Sequence, residues 1–422
     1  MKKILFYLIA LVVILTSFLS SQIYAKTYHI MLQGFHWRSS SVSEGWYKII
    51  HDNSQRIKDS GFTLIWLPPP SKSTSPQGYE PNQLNNLTSA YGNENQLKAA
   101  INALNPEVKA LADIVINHRS GTSSWADFTN PNWPTHTIVY DDEWGGNKSI
   151  NRDLGDGVSF SRDLDHKNLV TQNGIKAWMA WLKSFAGYSG WRYDLVKGYP
   201  GWAVEIYNDH TIPEFTVGEY FDYDTQKIVN WIDTTHVDWR KRTTAFDFPL
   251  RNALYQAVFW NNFDWLKYHD RVTGVIGVWA DKSVTFLENH DTEEARNSQY
   301  APPFPGGDQM ILGYAFILTH PGTPCIFWKD IYDSGKLYED KIEELILIRK
   351  KYLVHSESRV WIDKAEKNYG YAAYIQGDKG EIALKIGPGS WSPSGDKWDP
   401  IGDLLTSGNN YAVWGEYGRW PN

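Results

Sequence analysis

The segment GWRYDLVKG, residues 190–198, combines a strand-like run of aromatic and β-branched residues with two opposite charges. In an extended strand Arg192, Asp194 and Val196 would share one face. Burying either charge alone is costly, so the two must be paired or must act on something else. A guanidinium beside Asp194 is expected to lower the pKa of that carboxyl and keep it ionised. Such a carboxylate suits a nucleophile, with a structural ion pair as the alternative.

Three further apolar runs end in groups that can exchange protons or hold a ligand. They are DIVINHR, EFTVGE and FLENHD, at residues 113–119, 214–219 and 286–291. Glu219 is the last residue of the second run, and it could be a solvated end residue. Alternatively it is a general acid, in which case apolar surroundings and a nearby carboxylate would raise its pKa. Four such clusters are hard to explain as capping. They predict a site where the carboxyl ends of parallel strands meet.

The elements that would position these residues alternate along the chain. Strand-like runs cover residues 29–34, 63–67, 109–117, 190–196, 215–219, 283–287 and 323–328. Between them, apolar residues recur at spacings of three and four, as in residues 94–104, 174–185 and 342–353. This alternation predicts an α/β fold with a parallel sheet, and the number of strands favours a closed (β/α)8 TIM barrel.

Two regions break this alternation. Residues 121–168 are rich in Gly, Asn, Asp, Pro and Trp and too long for an ordinary loop, which predicts an inserted loop-rich subdomain after the third strand. Beyond residue 358 the chain turns to short alternating runs, which predict a small antiparallel β domain at 359–422. The barrel itself is then formed by residues 26–120 and 169–358.

The amino terminus has the pattern of an export signal. Lys2 and Lys3 precede the apolar stretch 4–19, and a small residue, Ala25, stands at a plausible cleavage point. We therefore expect residues 1–25 to be a signal peptide and the mature chain to be secreted, with a retained membrane anchor as the less favoured alternative. The single cysteine, Cys325, lies in a strand-like run and is expected to be an inert core thiol.

Composition narrows the classes of partner. The net charge is -7 with acids and bases mixed throughout, so a nucleic-acid partner is not expected. Beyond the signal, no stretch is apolar enough to span a bilayer, and we expect a monomer. Aromatic residues make up 15% of the chain and include 21 Trp. Most would belong to the core, while some could stack on the apolar faces of sugars.

The four motifs, in their order and spacing, resemble those of the α-amylase family of glycoside hydrolases. The segments MLQGFHW, GYEP and AFILTHPGTPCIFW, at residues 31–37, 78–81 and 315–328, are also similar. The resemblance is closest to plant-type and archaeal α-amylases and to bacterial maltooligosaccharide-forming amylases. It implies a secreted enzyme that hydrolyses internal α-1,4 bonds of starch, glycogen and maltooligosaccharides.

Other activities remain open alongside this one. Within the family, the chain could be an exo-acting maltooligosaccharide-forming amylase or a transglycosylase. A catalytically dead glucan-binding protein on the same barrel is disfavoured because all three family carboxylates are present. A metallohydrolase that uses His118 and His290 is a further alternative.

The resemblance also implies a role for individual residues. Asp194 would be the nucleophile and Glu219 the general acid and base. Asp291 would be a third carboxylate that binds the hydroxyl groups of the distorted sugar. The mechanism would retain configuration, which requires the Asp194 and Glu219 carboxyls to lie roughly 5–5.5 Å apart. The substrate contacts implied by the family motifs are Tyr79, His118, Arg192, Lys197 and His290.

A calcium ion is the cofactor that the resemblance implies. Hard oxygen ligands from several loops suit Ca²⁺, which would join the inserted subdomain to the barrel. The ligands implied by the family pattern are Asn117, Asp153, Asp156, Asp163 and Gly198. Asp156 and Gly198 would bind the ion through their backbone carbonyl oxygens. Gly157 stands where the plant enzymes have an aspartate, so their further calcium sites do not carry over. Without the family, an acidic surface loop would be the simpler interpretation.

Overall fold

The computed structural model describes residues 26–294 and 301–417 of the 422-residue chain. The predicted signal peptide lies outside the described residues. Eight parallel strands close into a barrel, which confirms the predicted (β/α)8 fold. In chain order they are β1 (Met31–Gln33), β2 (Leu64–Leu67), β3 (Lys109–Ile114), β4 (Gly190–Tyr193), β5 (Phe215–Gly218), β6 (Thr244–Phe246), β7 (Ser283–Phe286) and β8 (Thr323–Phe327).

Of the eight barrel strands, β6 is the one that the sequence pattern did not predict. Its three residues lie directly before Asp247, the N-cap of the next helix, and are too few to form a recognisable run. It nevertheless pairs with both neighbours, through Thr244 with Val217 of β5 and through Phe246 with Val284 of β7. These pairings close the sheet between β5, which precedes Glu219, and β7, which precedes Asp291.

Most predicted strands extend too far at their carboxyl ends, and β4 shows the reason. It ends at Tyr193, because Leu195 has a φ of 41°, in the left-handed region, and Val196 begins a short 3-10 turn. The prediction that Val196 shares a strand face with Arg192 and Asp194 is therefore wrong. The turn leaves Asp194 at the open edge of the barrel.

Helices pack around the outside of the barrel. They are α1 (Trp46–Asp52), α2 (Ser54–Asp59), α3 (Glu94–Leu104), α4 (Leu169–Trp181), α5 (Gly201–Thr211), α6 (Thr225–Asp233), α7 (Phe248–Trp260), α8 (Val275–Val278), α9 (Asp308–Thr319) and α10 (Lys336–Tyr352). α3 has its predicted bounds and begins at a capping box formed by Asn93 and Gln96. The helices predicted at 174–185 and 342–353 both begin earlier. Within the described ranges, no helix is long and apolar enough to span a bilayer.

The chain between β3 and α4 contains little regular structure. Its one two-residue strand pair joins 118–119 to 162–163. Arg119 is fully buried there, and its Nη2 donates to the carbonyl oxygens of Thr129 at 2.5 Å and Pro131 at 3.0 Å. A buried guanidinium bound to carbonyl groups holds irregular backbone that has few ladder hydrogen bonds of its own.

The carboxyl-terminal part of the chain forms an antiparallel sheet. Its strands are β9 (Val360–Glu366), β10 (Gly370–Gly377), β11 (Gly380–Ile386), β12 (Leu404–Gly408) and β13 (Tyr411–Tyr417), in the order β9-β10-β11-β13-β12. Trp398 and Trp414 are buried against one face of this sheet, with Trp391 partly buried beside them. These rings belong to a small core, which leaves little of Trp398 and Trp414 for sugar stacking.

Candidate active site

Arg192 lies fully buried at the carboxyl edge of the barrel, surrounded by three carboxylates. Its Nη1 contacts Asp113 Oδ1 and Asp194 Oδ1, each at 2.7 Å, and its Nη2 contacts Glu219 Oε1 at 2.9 Å. These residues come from β3, β4 and β5 or follow them directly, and the neighbouring strands bring them together. Charge-assisted hydrogen bonds stabilise a guanidinium that burial alone would destabilise.

Burial raises the pKa of each carboxyl that contacts Arg192. The pKa rises to about 6 for Asp113, about 7 for Asp194 and about 8 for Glu219, although the Arg192 charge lowers all three. The expected effect of Arg192 on Asp194 is therefore present, but loss of water outweighs it, so the pKa of Asp194 lies above rather than below its ordinary value. Of these three groups, Glu219 keeps its proton to the highest pH.

Asp291 follows β7 and lies at the solvent side of the same cluster. Its side chain is 33% exposed, and its Oδ2 lies 3.3 Å from His290 Nε2. The backbone N–H of Asp291 donates to Asn289 Oδ1 at 3.0 Å, which fixes the turn. The charge of Asp291 raises the pKa of both Asp194 and Glu219. The structure thus brings the three predicted carboxylates together.

Tyr79 and His290 form an aromatic wall of the site, with ring centroids 5.3 Å apart and planes 11° from parallel. The ring of Trp37 stacks on His290 at 6.3 Å. The Tyr79 hydroxyl donates to Asp113 Oδ2 at 2.9 Å and accepts from His290 Nε2 at 2.7 Å. Gln33 Nε2 donates to His290 Nδ1 at 2.9 Å, which is compatible with a hydrogen on Nε2.

His118 lies beside the wall but makes a different hydrogen bond from the predicted one. Its Nε2 donates to the carbonyl oxygen of Tyr79 at 2.7 Å. Burial lowers the pKa of His118 to about 4, so the ring is neutral near pH 7. In this arrangement His118 positions Tyr79, and its contact with a sugar stays a prediction.

Lys197 lies in the loop after β4, near the outer part of the site. Its Nζ is 3.6 Å from Asp156 Oδ2 and 3.9 Å from Asp222 Oδ2. The same ammonium lies 5.8 Å from the centre of the Tyr220 ring. Because its side chain is 31% exposed, it remains accessible to a ligand in the cleft.

The five predicted calcium ligands converge where the inserted subdomain meets the barrel. A Cβ built on Gly198 would lie 1.9 Å from Asn117 Oδ1 and 2.8 Å from the carbonyl oxygen of Asp156. Asn117 Nδ2 lies 3.4 Å from Asp163 Oδ1. These close approaches surround the glycine with oxygen atoms that a hard cation prefers.

Asp153 completes this group of oxygen atoms. A Cβ on Gly157 would lie 2.7 Å from Asp163 Oδ2 and 3.2 Å from Asp153 Oδ2, so both carboxylates face the same small space. Asp142 and Asp163 also belong to a group of acidic residues, with Glu143, whose oxygen atoms lie within 4.8 Å of one another. The donor set therefore fits Ca²⁺. Asp142 was not predicted, although the run Asp141-Asp142-Glu143 was visible in the sequence.

Comparison with known proteins identifies the family. Residues 22–214 match the family described as Alpha amylase, catalytic domain, and residues 351–415 match the Alpha-amylase C-terminal beta-sheet domain. The chain is 37% identical over 410 residues to Probable alpha-amylase 2 of Arabidopsis thaliana, covering 91% of this chain and 93% of that protein. The chain belongs to the α-amylase family of glycoside hydrolases.

A second relative and a solved structure extend the comparison. Glucan 1,4-alpha-maltotetraohydrolase of Roseateles saccharophilus is 30% identical over 390 residues, covering 85% of this chain and 67% of that protein. A crystal structure of an Anoxybacillus α-amylase superposes with a TM-score of 0.69 at 16% identity, covering 94% of this chain and 100% of that chain. At that identity the superposition shows the shared fold alone. The predicted family and enzyme class are confirmed.

Asp113 and Trp37 of this α-amylase-family site were quoted in motifs but given no role from the sequence. Asp113 is a fully buried third partner of Arg192, and Trp37 extends the aromatic wall. Asp113 stands in a run of apolar residues within the strand KALADI, and this position could have identified it. A buried carboxylate requires a partner, so its presence there indicated an ion pair or hydrogen bonds. No local signal distinguishes Trp37 from the many core tryptophans.

Proposed function

We propose that this enzyme hydrolyses internal α-1,4-glucosidic bonds of starch-like glucans with retention of configuration. The observation that carries the proposal is the contact of Asp194 and Glu219 with the two terminal nitrogens of one guanidinium, that of Arg192. Retaining glycosidases hold their two carboxyls roughly 5–5.5 Å apart, whereas inverting enzymes leave roughly 6.5–9.5 Å for a water molecule. The shared contact brings the two carboxyls close together, and the choice of the shorter spacing follows the family resemblance.

In the proposed reaction, Asp194 attacks the anomeric carbon while Glu219 protonates the glycosidic oxygen. The bond to the leaving sugar breaks and a glycosyl-enzyme ester forms on Asp194. Glu219 then takes a proton from the incoming water, which displaces the ester and restores both groups. The higher pKa of Glu219, about 8 against about 7 for Asp194, supports this division of roles.

The surrounding residues would hold the sugar rather than react with it. Asp291 is placed to accept hydrogen bonds from sugar hydroxyls, and His290 would act through the Tyr79 hydroxyl and the Asp291 carboxylate, which its Nε2 contacts. The ring of Tyr79 offers a flat apolar surface for the sugar at the cleavage point. Arg192 would keep the two reacting carboxyls in position, and Lys197 would contact a more distant unit.

We propose that Asn117, Asp153, Asp156, Asp163 and Gly198 bind one structural Ca²⁺. The ion would neutralise the crowded carboxylates and tie the inserted subdomain to the loop after β4. Its role would be to support the fold of the cleft wall. The proposal rests on the convergence of oxygen atoms described above and on the family resemblance.

We also propose that residues 1–25 direct export and are removed after about Ala25, as the charged and apolar pattern of that stretch suggests. Amino-terminal sequencing of the protein recovered from the medium of an expressing culture would test this. A mature protein that begins at Met1 would contradict it.

Two product measurements test the proposed reaction. Proton NMR of the first products should show the α anomer, and oligosaccharides blocked at the non-reducing end should be cleaved. Failure on blocked substrates would favour an exo-acting enzyme, an alternative supported by the similarity to a maltotetraohydrolase. Asp194→Asn should abolish hydrolysis, and full activity in that variant would contradict the assigned nucleophile.

A further inference from the structure

The backbone directly after Asp194 is strained. Leu195 has a φ of 41° and a ψ of 52°, in the left-handed region that a leucine seldom adopts. Such a conformation persists only where the surrounding contacts hold it. Because Asp194 is the proposed nucleophile, the contacts that hold this turn also set the direction of its carboxylate.

The Tyr199 hydroxyl supplies one of these contacts. It donates to the backbone carbonyl oxygen of Asp194 at 3.0 Å, and Tyr199 is only 2% exposed. This carbonyl belongs to the peptide group that joins Asp194 to Leu195, where the chain enters the left-handed turn. A buried carbonyl oxygen without a donor is unfavourable, so loss of the hydroxyl would favour rotation of this peptide group.

Glu219 holds the other side of the turn. The Leu195 N–H donates to Glu219 Oε2 at 3.1 Å, and the Val196 N–H donates to the Glu219 carbonyl oxygen at 3.2 Å. Tyr199 therefore fixes the turn next to the proposed nucleophile, while these two bonds fix it to the proposed general acid. Together they keep the two reacting carboxyls in a constant relative position.

The Tyr199 ring is itself held in place by His166. The two rings stack with centroids 5.0 Å apart and planes 29° from parallel. His166 Nε2 donates to the Ile116 carbonyl oxygen at 3.0 Å, and Nδ1 accepts from the Tyr207 hydroxyl at 2.8 Å. Burial lowers the pKa of His166 to about 4, so the neutral ring keeps both hydrogen bonds near pH 7. The Tyr199 hydroxyl thus has a fixed direction.

We propose that Tyr199 is a positioning residue for the nucleophile, acting through the backbone of the turn and without contact to the substrate. The inference rests on the proposed function, which gives Asp194 the role of nucleophile. It differs from a structural role, in which the hydroxyl would contribute to stability and leave the rate of a folded variant unchanged.

Tyr199→Phe removes the hydroxyl and keeps the ring. We expect kcat for maltoheptaose to fall about tenfold to a hundredfold, because displacement of a reacting group by roughly 1 Å costs about 10²-fold. KM should not change, because the hydroxyl bonds the backbone and not the ligand. Tyr188→Phe is the matched control. Tyr188 is 1% exposed, and its hydroxyl has no hydrogen-bond partner within residues 26–294 and 301–417, so neither constant should change.

The pH dependence provides a readout that separates positioning from electrostatics. Burial raises the pKa of the Tyr199 hydroxyl well above its ordinary value, so this group carries no charge near neutral pH. Its removal should lower kcat/KM without moving the acid limb of the profile. An acid limb that moves in Tyr199→Phe would contradict a positioning role.

An activated substrate shows which carboxyl is affected. α-Maltosyl fluoride has a leaving group that needs no proton, so a defect at Glu219 would largely disappear on it. The loss in Tyr199→Phe should persist, because Asp194 must still attack the anomeric carbon. Thermal unfolding shows that each variant is folded. An unchanged kcat in folded Tyr199→Phe, or a loss that disappears on the fluoride, would overturn the inference and leave the proposed reaction intact. Full activity of Asp194→Asn would instead contradict the proposed nucleophile.

Discussion

Replacing Asp113 by asparagine should move the acid limb of the pH dependence of hydrolysis to lower pH. Asp113 is fully buried and accepts hydrogen bonds from Trp66 Nε1 at 3.1 Å and from the Tyr79 hydroxyl at 2.9 Å. Its negative charge raises the pKa of Asp194, and it shares the guanidinium of Arg192. Removing that charge lowers the pKa of Asp194, so the proposed nucleophile ionises at lower pH.

The size of this effect follows from the geometry at Arg192. Asp113 Oδ1 and Asp194 Oδ1 both lie 2.7 Å from the same nitrogen, so they are at most about 5.4 Å apart. At an effective dielectric constant of about 20, unit charges roughly 5 Å apart repel by about 3 kcal/mol, or about two pKa units. The pKa of Asp113 is itself about 6, so its charge is not complete while Asp194 titrates. We therefore expect a shift of about one to two pH units.

The measurement is kcat/KM as a function of pH for Asp113→Asn and for the unmodified enzyme. The acid limb of this profile reports the pKa of the essential base in the free enzyme. Asp330→Asn serves as the matched control. Asp330 is a partly buried carboxyl that accepts a hydrogen bond from the Tyr314 hydroxyl at 2.6 Å, and its loss should leave the acid limb in place. Thermal unfolding shows that each variant is folded. An acid limb that stays in place, or moves to higher pH, in folded Asp113→Asn would refute the electrostatic reasoning.

Three further outcomes are expected. Glu219→Gln should lower kcat on glucans by about 10²–10⁴-fold, with a smaller loss on an aryl glycoside whose leaving group needs no proton; equal losses would contradict its role as general acid. Calcium at about 100 times its Kd should stabilise the fold by about 2.7 kcal/mol, seen as a rise in Tm that a chelator reverses; an unchanged Tm would contradict the site. Gly198→Ala, whose Cβ would lie 1.9 Å from Asn117 Oδ1, should shift that rise to higher calcium concentration, whereas Gly145→Ala, with no atom within 4 Å, should not.

Periodicity predicted the barrel better than it predicted the limits of each strand. The long apolar runs form strands in the structure. In contrast, β6 has only three residues and depends on its pairing with β5 and β7. The overextension of β4 comes from Leu195, whose positive φ no propensity would assign to leucine. Such positions are set by the surrounding structure, which a local pattern does not contain.

The identities of the candidate carboxylates were accessible from the sequence, whereas their electrostatics were not. An arginine two residues before Asp194 indicated an ion pair, and the pair is present. The sign of the pKa shift depends instead on the depth of burial and on Asp113, which comes from another strand. Neither the depth of burial of Asp194 nor its distance from Asp113 can be read from the sequence of residues 190–198.

The number of charges around Arg192 explains why one site can contain both an anion and an acid. One guanidinium contacts three carboxyls, so full ionisation would leave uncompensated negative charge in a buried space. At least one proton is therefore retained near neutral pH, and the order of pKa values places it on Glu219, with Asp194 and Asp113 ionising first. The guanidinium of Arg192 thus supports the protonation state that a retaining hydrolysis requires.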